Sequence, residues 1–115
     1  MKIYHIIPRF QWEEAQRELS YRGDTLESEG FIHFSKREQV LFVANARFKG
    51  HTGLLLLEVD SDKLRAELKH EPPYEGDQSG ETFPHLYGEL NLDAVAAVHN
   101  FEPSEDGTFA YPATM

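Results

Sequence analysis

Two short stretches hold the residue types best suited to chemistry. Gly30-Phe31-Ile32-His33-Phe34-Ser35 and Phe83-Pro84-His85-Leu86-Tyr87-Gly88 each space an aromatic ring, an imidazole and a hydroxyl two positions apart. Successive side chains of an extended segment point to opposite sides, so Phe31, His33 and Ser35 share one face while Ile32 and Phe34 turn to the other. The second stretch repeats the design with Phe83, His85 and Tyr87. His5 alternates with Ile3 and Ile7 in the same manner. An unpaired buried polar group costs roughly 1–3 kcal/mol, so each of these imidazoles needs a hydrogen-bond partner or a cleft to face. One such histidine is equally well explained as a core residue bonded to backbone; three, with Ser35 and Tyr87 beside them, point to a site. His51, His70 and His99 lie next to turns or in weakly periodic sequence and read as solvent-facing or structurally satisfied.

Three chemistries compete for these residues. Three histidines from separate strands can hold a divalent metal, yet the chain has no His-x-His pair, no His-Glu-x-x-His and no carboxylate spaced beside them, so no metal ligands are assigned. A serine hydrolase needs Ser35 activated by an imidazole that an acid orients, but Ser35 lacks a Gly-x-Ser-x-Gly turn. A pocket for a nucleotide or sugar uses every feature: imidazoles bond hydroxyls, Phe31, Phe34 or Tyr87 stacks on a ring, and a helix start receives a phosphate.

These residues need elements to position them. Residues 2–7 alternate and end at Pro8, predicting a first strand. Residues 11–19 place Trp12, Ala15 and Leu19 at helical spacing, an amphipathic helix of about three turns. Ser35-Lys36-Arg37-Glu38 has capping-box spacing, so the central stretch is expected to run directly into a helix over 36–48, stopped by Gly50. That junction aims backbone amides at the neighbourhood of His33. Leu54-Leu55-Leu56-Leu57-Glu58-Val59 predicts a strand covered on both faces. Asp60 is expected to cap a short helical turn reaching 64–68, and Lys69-His70-Glu71 a brief strand closed by Pro72-Pro73. Polar residues 74–82 predict a loop of about ten residues. A strand over 83–87, a turn capped by Asn91 or Asp93, and a strand over 96–101 follow. Residues 1–102 read as one α+β domain with a mixed or antiparallel sheet, and residues 103–115 as a loosely held tail.

Bulk properties narrow the field. The 115 residues include no cysteine, which removes disulfide frameworks and thiolate metal sites. The net charge of −9 is uneven: residues 1–57 carry 8 Lys/Arg against 7 Asp/Glu, and residues 58–115 carry 3 against 13. An acidic second half repels phosphate backbones, so no broad nucleic-acid surface is expected; a small anion held by Arg9, Arg22, Lys36 or Arg37 is compatible. No apolar run reaches signal-peptide or membrane-spanning length, and the expected location is the cytoplasm without membrane attachment.

Glu29-Gly30-Phe31-Ile32-His33-Phe34-Ser35, the early His5, Leu57-Glu58-Val59-Asp60, Glu71 and Phe83-Pro84-His85-Leu86-Tyr87-Gly88 occur together in an order that resembles the small bacterial family called domain of unknown function 952, from about residue 3 to residue 102. The resemblance implies an ADP-ribosyltransferase-like fold, a split α+β sheet with short helices whose pocket in related families binds NAD. It implies catalytic roles for His5 on the ribose, His33 with Ser35 around the nicotinamide, and Glu71 at the developing positive charge, with Glu81 and Glu89 as alternatives to Glu71. Phe31, Ser35, His85 and Tyr87 are the implied ligand-binding set. No resident cofactor is assigned, and NAD enters as a candidate substrate. The second expectation is a non-catalytic nucleotide-binding or interaction module; the third is a metal-dependent enzyme.

Overall fold

The computed structural model describes residues 1–115. Eight strands and three α-helices follow one another along the chain: β1 Lys2–Pro8, α1 Arg9–Glu18, β2 Ser20–Tyr21, α2 Thr25–Glu29, β3 Ile32–His33, α3 Val40–Arg47, β4 Leu54–Asp60, β5 Glu67–Glu71, β6 Phe83–Tyr87, β7 Leu90–Asn91 and β8 Val95–Phe101. Every strand pairing is antiparallel. The expected α+β class with antiparallel sheets and short helices is what the chain forms.

One sheet has the order β1-β4-β8 and another the order β3-β6-β5, with β2 and β7 as a separate pair. The two larger sheets meet at one point. Tyr4 and Ser35 exchange backbone hydrogen bonds of 2.8 Å in both directions, and the Phe34 amide donates to the Pro84 carbonyl. The chemical stretch is therefore stitched to β1 on one side and to β6 on the other.

β4 is central because its aliphatic run can be buried on two faces. Leu55, Leu57 and Val59 join Ile3, Ile7, Ala15, Ile32, Phe34 and Leu86 in one core. Leu54 and Leu56 point the other way, into a second core with Tyr4, Val40, Ala44, Phe101 and Phe109. Fully burying each such side chain contributes about 1.5–3 kcal/mol, which explains why a strand with period-two alternation elsewhere has no polar face here.

Several expectations need correction. The first helix begins at Arg9 and stops at Glu18; Leu19 takes a left-handed conformation (φ 63°, ψ 19°) that turns the chain into β2, so its side chain lies exposed instead of in the apolar stripe. Ser35 does not cap a helix. Its backbone is used by the bridge to Tyr4, the turn starts one residue later as a 3-10 segment over Arg37–Gln39, and the Gln39 side-chain oxygen accepts from the Lys36 amide at 2.9 Å. α3 proper begins only at Val40. The Asp60 carboxylate does accept from the Asp62 amide, but the turn it caps ends at Lys63. Of the residues expected to continue it as helix, Glu67 and Leu68 open β5 instead, because pairing with β6 outweighs weak helical spacing.

The tail is docked. Phe109 is buried and stacks on Phe101 at 4.7 Å, its amide donates to Asn45 Oδ1, the Tyr111 hydroxyl donates to the Arg37 carbonyl, and Thr114 bonds His99. No helix is long and apolar enough to cross a membrane.

Candidate functional site

The register of the β3-β6-β5 sheet brings the two chemical stretches face to face. His33 pairs with His85 and Lys69 also pairs with His85, while Ile32, Leu86 and Leu68 pair on the opposite side. Paired residues of antiparallel strands project to the same face. His33, His85 and Lys69, with their second neighbours Phe31, Tyr87 and Glu71, thus share one surface, and Ile32 and Leu86 on the other are fully buried. Gly88 ends β6 where a side chain would collide with its neighbour: a Cβ there would lie 2.6 Å from that of Ala66.

His85 is the centre of the cluster. Phe31 lies flat against it, ring centroids 4.0 Å apart and planes 16° from parallel, and His33 meets it edge-on at 5.3 Å. The His85 side chain is only 3% exposed. Its Nδ1 is 2.9 Å from Glu71 Oε1, and the Tyr87 hydroxyl donates to the same oxygen at 2.5 Å. Those two donors, Tyr87 foremost, hold the Glu71 carboxyl below the usual carboxylate range. Donation to Glu71 in turn raises the Tyr87 phenol. A carboxylate only accepts, so His85 Nδ1 carries the proton. Burial lowers the His85 pKa and keeps the ring neutral at pH 7, so Nε2 holds a lone pair. That atom is buried and has no hydrogen-bond partner.

His33 is turned toward solvent, its Nε2 donating to Glu29 Oε1 at 3.2 Å, with Phe31 at its edge. Glu29 ends α2 and Gly30 follows in the left-handed region (φ 88°), returning its amide to the Leu26 carbonyl. This cap folds Glu29 back over β3 four residues before His33. Lys69 sits over the Tyr87 ring at 4.9 Å. Neither Glu29 as a partner of His33 nor Lys69 was singled out from sequence. The signal for Lys69 is its position two residues before Glu71 on one strand; for Glu29 it is the helix-stop glycine just after it.

His5 stands behind this face. Its Nδ1 donates to the His33 carbonyl at 2.6 Å, since a carbonyl only accepts, and its Nε2 accepts from the Tyr21 hydroxyl at 2.9 Å. Burial lowers its pKa to about 4. Burial and the Asp24 carboxylate together raise the Tyr21 phenol, so the donor in this bond stays protonated. Both imidazole nitrogens are committed within the fold, and His5 positions the backbone of His33. Ser35 lies at the bridge to β1.

Phe31, His33, Glu71, His85 and Tyr87 come together; Glu81 and Glu89 do not join them. Glu81 accepts from Gln39 and Glu89 pairs with Arg22 at 2.8 Å. The Glu81 carboxylate near the 3-10 turn also offsets the positive end expected there for an anion. No three His, Asp or Glu side chains converge as a metal-ligand set. Two concavities of about 300 Å³ lie elsewhere, one beside Trp12 and β8 and one along α1 and residues 20–24. The cluster itself is one face of the sheet, with the Phe31 ring laid against His85, whose Nε2 is buried. Such a face can stack on a planar group, and at His85 Nε2 it can accept a hydrogen bond or a proton.

A family model described as Protein of unknown function (DUF952) matches residues 6–98. The X-ray crystal structure of protein CC0527 from Caulobacter crescentus is 31% identical, with 96% of this chain and 94% of that chain covered and a TM-score of 0.83. The solution NMR structure of CC0527 is 31% identical over 93% of this chain and 90% of that chain, with a TM-score of 0.76. No curated protein matches.

Proposed function

The chain belongs to the DUF952 family, and we propose that its Phe31, His33, Glu71, His85 and Tyr87 face binds NAD or a related nucleotide in a domain of ADP-ribosyltransferase-like fold. The observation that carries the reading is the unpartnered, buried Nε2 of His85, fixed as an acceptor by Glu71 on the far side of the ring. A ribose hydroxyl or a carboxamide N–H is the donor that such an atom lacks. The two antiparallel sheets held together at Tyr4 and Ser35 support the split-sheet assignment. In this reading Phe31 swings off His85 and a ligand ring takes its place between His85, Tyr87 and His33. Glu71, still carrying one free oxygen, faces the charge that develops when a glycosidic bond opens.

A second reading, a binding module without turnover, is favoured by one observation: the Glu71 oxygen nearest the cluster is already occupied by two donors. Titration with NAD and with ADP-ribose, followed by NMR, should give saturable shifts at His85 and Tyr87, and His85→Ala should weaken binding at least about tenfold, the value of one lost buried hydrogen bond. Nicotinamide release on incubation with NAD distinguishes the enzyme from the module. If neither nucleotide shifts these resonances at millimolar concentration, the reading fails.

A further inference from the structure

The β1-β4-β8 sheet carries a second cluster of polar side chains, separate from the His85 face. Glu58 is the one charged residue in the aliphatic run of β4 from Leu54 to Val59. Its side chain is only 20% exposed. Glu58 pairs in register with Ala97, and His99, two positions further along β8, pairs with Leu56, so both project from the same face of the sheet. The ladder slips between Glu58 and Val59, the kind of bulge that re-aims a neighbouring side chain. Glu58 Oε1 lies 3.2 Å from His99 Nε2, and Thr114 Oγ1 lies 2.6 Å from Nδ1 on the other side of the ring. A carboxylate only accepts, so Nε2 carries the proton, and in the neutral ring Nδ1 holds the lone pair to which the Thr114 hydroxyl donates. Hydroxyl, imidazole and carboxylate stand in series, the arrangement that activates an oxygen nucleophile. Exposure follows the same order: His99 is 5% exposed, whereas Thr114 is open to solvent. The tail is anchored ahead of Thr114 by Phe109 on Phe101 and by the Tyr111 hydroxyl on the Arg37 carbonyl, which fixes where the nucleophile stands.

We propose that Thr114 is an acyl-acceptor site, esterified by small activated acyl donors (thioesters or aryl esters), with His99 as the general base and Glu58 as its positioning residue. As Oγ1 attacks the acyl carbon, its proton passes to His99 Nδ1. The new C–O bond replaces the bond to the thiolate or aryloxide, and His99 returns the proton to that leaving group. Glu58 supports the imidazolium between the two transfers. No other reactant is needed. The donor must be activated because Thr114 is a secondary alcohol, and small because neither concavity of about 300 Å³ is lined by these three residues. Esterification also removes the hydroxyl proton that His99 Nδ1 receives, so the modified chain loses this tie between tail and β8.

Incubation with p-nitrophenyl acetate and, separately, with an acetyl thioester, followed by peptide mass spectrometry, tests the proposal. One acetyl group should appear on Thr114 of the folded chain, should be released by hydroxylamine as an ester is, and should be absent when the chain is unfolded in urea first. Thr114→Ser, a primary alcohol in the same place, should be acylated faster, an effect that a purely structural tie would not produce. His99→Gln should slow acylation about a hundredfold, the usual contribution of a general base. Glu58→Gln keeps an acceptor oxygen but removes the charge, and should slow the step at least about tenfold while limited proteolysis shows the tail still docked. The proposal is overturned if Thr114 is no more acetylated in the folded chain than in urea, or if His99→Gln reacts as fast as the parent. Thr114→Ser decides the matter even if the His99 variant releases the tail: a rate no higher than that of the parent would make Thr114 a clasp and nothing more.

Discussion

At the scale of single residues, His5 and His85 set an acid limit on the fold. His5 is held neutral, with a folded pKa of about 4 against an ordinary 6.5, because burial denies its charged ring the hydration it has in the unfolded chain. The unfolded chain therefore takes up this proton first as pH falls. Stability is complete above about pH 6.5 and declines toward pH 4 by about 1.4 kcal/mol per unit. His85, also lowered by burial, acts in the same direction. Urea unfolding between pH 7 and 4.5 should show this decline, and His5→Gln should flatten it while costing stability at pH 7 through the lost bonds to the His33 carbonyl and Tyr21. An unchanged slope in the variant would place the acid sensitivity elsewhere. Period-two spacing made His33, His85 and Tyr87 readable as one surface, since it depends only on local geometry. The role of His5 was not readable, because its partners stand 16 and 28 positions away and nothing local announces them.

At the scale of elements, the sequence showed strands more clearly than the places where helices begin and end. β1, β4 and β6 lie where alternation or aliphatic runs put them; α1, α3 and β5 shifted because long-range pairing decided their limits. The Asn91 side chain illustrates the cause. Expected as a local cap, it accepts the Arg65 amide at 3.1 Å and donates to the Lys63 carbonyl, holding the approach to β5 open for pairing with β6. Leu19 marks the other kind of departure, a non-glycine residue in the left-handed region with its side chain 78% exposed. A branched residue gains nothing there and strains the backbone by about 1 kcal/mol. Leu19→Gly should therefore stabilise the fold by about 0.5–1 kcal/mol and raise the melting temperature by roughly 2–5 °C. A fall in Tm would mean that the exposed leucine packs better than its surface suggests.

At the scale of the whole molecule, the tail completes the second core. The radius of gyration of 13.6 Å is close to the ~13 Å expected of a compact chain of this length, which fits residues 103–115 lying against the domain. Their role escaped the sequence because Phe109 and Tyr111 stand among prolines, acids and glycine without any period, and their partners Asn45 and Arg37 are 64 and 74 positions away. Yet Phe109 is 5% exposed and closes the side of the core formed by Val40, Ala44, Leu56 and Phe101. Removing its ring leaves a cavity that the ends of α3 and β8 cannot both fill, a loss of about 3 kcal/mol. Tyr111, whose exposed hydroxyl makes one bond, should cost no more than about 1 kcal/mol as Tyr111→Phe. Chemical unfolding of Phe109→Ala and Tyr111→Phe should show that asymmetry, and limited proteolysis of Phe109→Ala should release the tail before the rest of the chain is cut. If Phe109→Ala unfolds within about 0.5 kcal/mol of the parent, the second core is closed by α3 and the sheet alone, and the tail is an attachment to the fold instead of a part of it.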